Sequence, residues 1–215
     1  MHDSQPVNRK KEKREQRDVE RIRTFICIEI PESIKDRIDS LQNTLRQIDA
    51  QVSWTKPSNI HLTLKFLGGV APTRIERVAK AVERAASGIH HFEIEVSGAG
   101  CFPSPRSPRV LWIGLPNAPD PLKQLYANIE EELAAEDFPR EKRNFSPHLT
   151  IGRIRNPKSS APVAEALMGE GFAPERFKAT EVIVMRSQLK PTGSIYTPQA
   201  TIKLASGQRV SLLTQ

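Results

Sequence analysis

Two short segments of the chain carry the same pattern, His61-Leu62-Thr63-Leu64 and His148-Leu149-Thr150-Ile151, 87 residues apart. In a β-strand, residues i and i+2 share a face. His61 and Thr63 therefore project together while Leu62 and Leu64 enter the packed face, and His148 and Thr150 repeat the arrangement. Threonine suits the role because its branched Cβ restricts χ1 and holds the hydroxyl at low entropic cost. Two imidazoles near neutral pH can divide acid–base work, one protonated and one neutral. Displacement at phosphorus needs that division, because the incoming and leaving oxygens lie on opposite sides and each exchanges a proton. The hydroxyls can donate to the non-bridging oxygens as charge builds on them. No acidic residue or cysteine lies within strand-compatible reach of either pair, so no metal set is expected. No GxSxG segment marks a serine nucleophile. His2, His90 and His91 lie in the tail or a loop and are expected to face solvent.

The elements that must position these groups follow from periodicity. Residues 24–30 form an apolar run ended by Pro31, as a central strand should. Ile34, Ile38, Leu41, Leu45 and Ile48 fall on one helical face. Residues 60–66 read as the first histidine strand. A helix follows, with Thr73 and Glu76 as a capping box and Ile75, Val78, Val82 and Ile89 as its inner stripe. Residues 92–96 alternate apolar and acidic side chains, as a half-exposed strand does. In the second half, 110–115 is an apolar strand closed by Pro116. Asp120 is placed as an N-cap with Pro121 at the first helical position, ahead of the stripe Leu122, Leu125, Ile129 and Leu133. Then come the strand 147–153, a short helix 163–168 stopped by Gly169 and Gly171, a strand 177–184 and a hairpin strand 195–204. Loops are expected over 103–108 and 156–162.

The two halves share one order: strand, helix, loop, histidine strand, helix, strand. Such a match predicts an internal duplication. The expected fold is α+β, with two pseudo-two-fold-related lobes. Each is an antiparallel sheet with helices on its outer face, and together they enclose a central cleft where the two His/Thr pairs converge.

The segments 54–68 (WTKPSNIHLTLKFLG) and 145–153 (FSPHLTIGR), with the strands opening at Arg23-Thr24-Phe25 and at Arg109, resemble the RNA 2′,3′-cyclic phosphodiesterases, also called 2′-5′ RNA ligases, of the two-histidine phosphoesterase superfamily. The resemblance spans roughly residues 22–204. Gly69 departs from it, standing where many relatives carry an acidic residue. The resemblance implies metal-independent, cofactor-free hydrolysis of an RNA 2′,3′-cyclic phosphate end to a 2′-phosphate end, with reversible 2′-5′ joining as a secondary activity. It maps His61 to the proton donor and His148 to the proton acceptor. Phe66 and Arg153, each five residues after its histidine, match positions that flank the nucleobase. Simple alternation puts both on the face opposite the histidines, so a strand end or bend is required. Lys65 and Arg109 are further phosphate candidates. A phosphodiesterase acting on 2′-5′ oligonucleotides or small cyclic nucleotide phosphates, or a non-catalytic module that binds RNA ends, would share much of this pattern.

Composition fits that frame. The 215 residues are 38% hydrophobic and 27% charged, with a formal charge of +7 that suits an anionic partner without establishing one. No run of 18 apolar residues suggests a membrane helix, and the charged N-terminus lacks a signal-peptide pattern. Cys27 and Cys101 read as buried thiols of a reducing, cytoplasmic environment. Residues 1–22 are expected as a disordered charged extension, 23–205 as the bilobal domain and 206–215 as a tail. The expected partners are RNA ends or nucleotide 2′,3′-cyclic phosphates, with neither membrane nor metal, and a monomer is expected.

Overall fold

The computed structural model describes residues 21–156, 160–191 and 193–206. The N-terminal extension therefore lies outside the described residues except for Arg21 and Ile22, and the C-terminal tail except for Ser206. The elements run β1 (Ile22–Glu29), α1 (Glu32–Leu45), β2 (Val52–Trp54), β3 (His61–Val70), α2 (Ile75–Ala86), β4 (Phe92–Phe102), β5 (Val110–Gly114), α3 (Asp120–Ala135), β6 (His148–Ile154), α4 (Ala161–Glu170), β7 (Glu175–Ala179), β8 (Glu181–Lys190) and β9 (Gly193–Lys203). None of these helices is long and apolar enough to cross a membrane.

The strands form a nine-stranded sheet in the order β7-β4-β5-β6-β3-β1-β8-β9, with β2 paired to β6. Its ladders are antiparallel. The order is symmetric about the β3–β6 junction, where the only paired residues are Leu62 and Leu149. Each is the residue after its histidine, so the pseudo-two-fold axis passes through the centre of the duplicated motif. Both leucines are fully buried, and truncating either to alanine would cost about 2–5 kcal/mol.

Neither lobe is built from a single half of the sequence. β4, the last strand of the first half, pairs with β5 of the second, and β8 returns to pair with β1. The helices cross in the same way. Although α1 follows β1, it packs beside α4, which lies on β4. Correspondingly, α3 follows β5 yet packs on β3 and beside α2. Ile26, Ile28, Leu62, Leu64, Leu111, Ile113, Leu149 and Ile151 meet the helical stripes in one core. The other face of β1 and β8 carries a second, smaller cluster of Phe25, Cys27, Ile183 and Met185, with Tyr196 against it. Burial on both faces explains why β1 reads as an unbroken apolar run.

Several boundaries differ from the sequence expectation, each for a local reason. Thr73 caps nothing through its side chain, because Pro72–Arg74 is a 3₁₀ turn whose Arg74 N–H donates to Ala71 at 2.9 Å. The capping box is therefore not formed, and Ile89 lies beyond the end of α2. Pro119, not Asp120, is the N-cap of α3, and the Asp120 carboxylate accepts from Lys123 Nζ at 2.9 Å. β4 continues to Phe102 because Gly98, at φ +66°, absorbs an irregularity in the ladder with β5. Gly169 lies inside α4, and the C-cap is Gly171. The strand expected over 177–184 is two strands, because the chain leaves β4 after Ala179, joins β9 from Glu181 and joins β1 from Ile183 onward.

Candidate active site

His61 and His148 each open a strand, and the backbone around them is repeated. The antiparallel register defined by Leu62 and Leu149 sets His61 beside Thr150 and Thr63 beside His148. Both histidines and both threonines are half-buried, and they flank leucines on the core face. Each imidazole Nδ1 lies 2.8 Å from a backbone carbonyl two residues upstream, Asn59 O for His61 and Ser146 O for His148. A carbonyl only accepts, so each Nδ1 carries the proton and each Nε2 is left to exchange one.

The bend required for Phe66 and Arg153 is present in both strands. From the histidine onward, each strand runs half-buried, buried, half-buried, buried, buried, exposed. Leu64 is the extra residue between the pairs Cys27–Thr63 and Ile26–Lys65. Ile151 is its counterpart between Trp112–Thr150 and Leu111–Gly152. A bulge re-aims every side chain after it, so Phe66 and Arg153 return to the histidine face. The Phe66 ring, 67% exposed, lies 6.0 Å from Phe25, which stacks on His61. Arg153 is exposed, and its positive charge adds to the burial that chiefly lowers the proton affinity of His148.

Lys65 does not face the cleft. It is buried, and its ammonium donates to Glu130 Oε1 at 2.7 Å and to Pro139 O at 2.9 Å. Arg109 is exposed just ahead of β5. His90 is exposed and bridges to Ala205, whereas His91, expected to face solvent, is half-buried, its N–H donating to Ala205 O at 3.0 Å. Both cysteines are buried thiols, and burial pushes the Cys27 pKa well up.

The surroundings of the histidines include residues that sequence patterns did not single out. His61 lies between the Phe25 ring, stacked at 4.6 Å and 22°, and the Tyr196 ring, edge-on at 5.3 Å. Burial lowers its pKa to about 4, against the opposing effect of the Asn59 carbonyl. Among the described aromatic rings, His148 meets Phe102 alone, edge to face at 5.1 Å, and burial lowers its pKa too. A pocket of about 370 Å³ adjoins His61, with Lys56, Ser58 and Tyr196 on its walls. A wider one of about 760 Å³ adjoins His148, with Phe102, Trp112, Phe145 and Lys123. Trp112 can lie over β4 only because residue 100 is glycine, since a Cβ there would sit 2.5 Å from the indole. The one signal that could have found Asn59 and Ser146 is their shared offset of two residues before each histidine.

A duplicated sheet with one pinned imidazole and one hydroxyl per repeat is the frame of a phosphoesterase. The chain belongs to the LigT-like phosphoesterase family, whose model matches twice, over residues 28–112 and 113–196, one match per repeat. It is 37% identical over 186 residues to an RNA 2′,3′-cyclic phosphodiesterase of Methanothermobacter thermautotrophicus, spanning 86% of this chain and all of that one. A protein of the same name from Thermotoga maritima is 34% identical over 176 residues, covering 81% of this chain and 91% of the relative. Among solved structures, E. coli LigT complexed with 3′-AMP superposes with a TM-score of 0.71 at 25% identity, covering 87% of this chain and all of that one.

Proposed function

We propose that the cleft hydrolyses RNA 2′,3′-cyclic phosphate ends to 2′-phosphate ends, without a metal. The observation that carries this reading is the pair of imidazoles with Nδ1 pinned and Nε2 free, each beside a threonine hydroxyl across a pseudo-two-fold axis. The names of the relatives supply the substrate class. Water attacks phosphorus while His148 Nε2 takes its proton. The P–O3′ bond breaks, and His61 Nε2 gives its proton to the departing 3′-oxygen. Water is thereby added across one ester bond, and both imidazoles are reset by exchange with solvent. Thr63 and Thr150 donate to the non-bridging oxygens, while Phe66 and Arg153 flank the base.

Burial favours the neutral form of His61, whereas a donor must arrive protonated. The phosphodiester anion at Nε2 supplies the compensating charge, because a nearby negative group favours the imidazolium. With a 5′-hydroxyl in place of water, the same groups in the same roles would break P–O3′ and give a 2′-5′ linkage, and the reverse step would restore the cyclic phosphate and the 5′-hydroxyl.

The test is an oligoribonucleotide ending in a 2′,3′-cyclic phosphate, incubated in chelator with the 2′- and 3′-phosphate products resolved. The 2′-phosphate is expected, and it should be lost in His61→Ala and His148→Ala. Binding without cleavage by the folded protein would replace this reading with an end-binding module. Cleavage that chelator abolishes would overturn the metal-free mechanism.

A further inference from the structure

The geometry points to three buried polar side chains, Gln42 and the Lys65–Glu130 pair, as positioning residues that set the two bulges and so aim Arg153 and Phe66. This rests on the reading of those two as base-flanking groups and adds what holds them.

Gln42 is fully buried on α1, in the stripe with Ile34, Ile38 and Leu45. An amide there needs partners, since burying one unpaired is costly. Its Nε2 donates to Ile151 O at 2.8 Å and to Thr55 O at 2.9 Å. Ile151 is the extra residue of the β6 bulge. Thr55 is the residue after β2, and its own N–H donates to the same Ile151 carbonyl at 3.0 Å. Gly152 completes the fit, because a Cβ there would lie 2.9 Å from Val52 of β2.

The other half solves the same problem with charge. Glu130 stands on α3 88 residues after Gln42, a spacing within one residue of that between the histidines. It accepts from Lys65 at 2.7 Å, and its second oxygen accepts the Glu141 N–H at 2.9 Å. Lys65 directly follows Leu64, the extra residue of the β3 bulge. Each clamp reaches from a helix of one repeat to the histidine strand of the other. Both histidine strands carry a bulge at these positions. The clamps decide at which peptide it falls, and therefore the direction of the next exposed side chain.

The experiment is a double-mutant cycle on the cyclic-phosphate oligonucleotide, measuring kcat and KM for Gln42→Met, Arg153→Ala and both together. Gln42→Met is expected to raise KM about tenfold, with kcat changed less than about twofold. It should add nothing in the Arg153→Ala background. A Gln42→Met effect that persists undiminished in that background, or no effect at all, would overturn the positioning role. An unchanged KM in Arg153→Ala alone would instead overturn the base-flanking reading, a separate result. Should Gln42→Met not fold, the second clamp decides. Lys65→Met with Glu130→Met removes the pair without leaving a buried charge, and its effect should vanish in Phe66→Ala and not in Arg153→Ala.

Discussion

The two halves of the cleft share a backbone down to the bulge and differ in what surrounds the imidazole. His61 is wedged between Phe25 and Tyr196, and burial takes its pKa to about 4. His148 has the Phe102 edge on one side and the reach of the Arg153 charge on another. Past the bulges, the first half presents an exposed aromatic ring and the second an exposed guanidinium. Duplication thus provides two equivalent placements, and substitutions around them separate the proton affinities.

The largest effect should come from removing either imidazole. His61→Ala and His148→Ala are each expected to lower kcat by about 10²–10⁴, read from single-turnover hydrolysis. Near-normal turnover in either variant would break the partnership and leave one half as scaffold.

The second effect concerns stability and tests the difference in burial directly. His61 titrates near 4 when folded, against its ordinary 6.5. Between those values the unfolded chain binds the extra proton, so stability falls as pH drops from about 6.5 towards 4. For His61 this amounts to on the order of 2–3 kcal/mol by pH 4.5. Denaturant titrations at pH 7 and pH 4.5 should show that His61→Gln removes more of the acid loss than His148→Gln does. Carboxylates also titrate in this window, and comparing variants at each pH subtracts them. The reverse ranking would show that His148 is the more strongly desolvated partner.

Much of this was legible because it rests on local periodicity. The repeated His-x-Thr pattern, the helical stripes of α1 and α3, and the order of elements all follow from spacing of apolar residues. The bend before Phe66 and Arg153 followed from setting the family resemblance against alternation, which together could require it though not locate it. Other features depend on partners far along the chain. Lys65 looks like a surface lysine until Glu130, on a helix of the other repeat, is folded against it. The break at Thr180 has neither glycine nor proline to mark it, because the chain there simply changes neighbours, from β4 to β9 and then β1. The crossing of α1 and α3 between lobes leaves no local trace either, since each stripe is equally apolar whichever sheet it covers. Phe25 and Tyr196 were invisible as a pair because one lies in β1 and the other in β9, brought together only through β8.

A smaller effect is expected from the hydroxyls. Thr63→Ala and Thr150→Ala should each lower kcat by about 10–10², below the histidine losses, because each removes one donor from an oxygen that keeps others. Equal losses in the two variants would show that the symmetry extends to transition-state stabilisation. A loss confined to one would place the developing charge on that side of the axis.

The finest comparison asks which histidine sets which limb of the rate profile. A bell-shaped rate profile alone gives two values that belong to the pair. Perturbing one neighbour at a time assigns each value to its imidazole. Tyr196→Ala opens His61 to water on the side where the ring now lies at 5.3 Å, which should raise its pKa by about one unit. The group of lower proton affinity sets the acid limb whichever way the proton travels, and burial holds His61 low. The acid limb should therefore move to higher pH while the alkaline limb stays in place. Phe102→Ala does the equivalent for His148, whose ring it meets at 5.1 Å, and there the alkaline limb should move instead. The position of each limb is the readout, because Tyr196 also lines the pocket beside His61 and can change the height of the profile through binding alone. Movement of the opposite limb in each variant would show that the bound phosphodiester lifts the His61 pKa above that of His148.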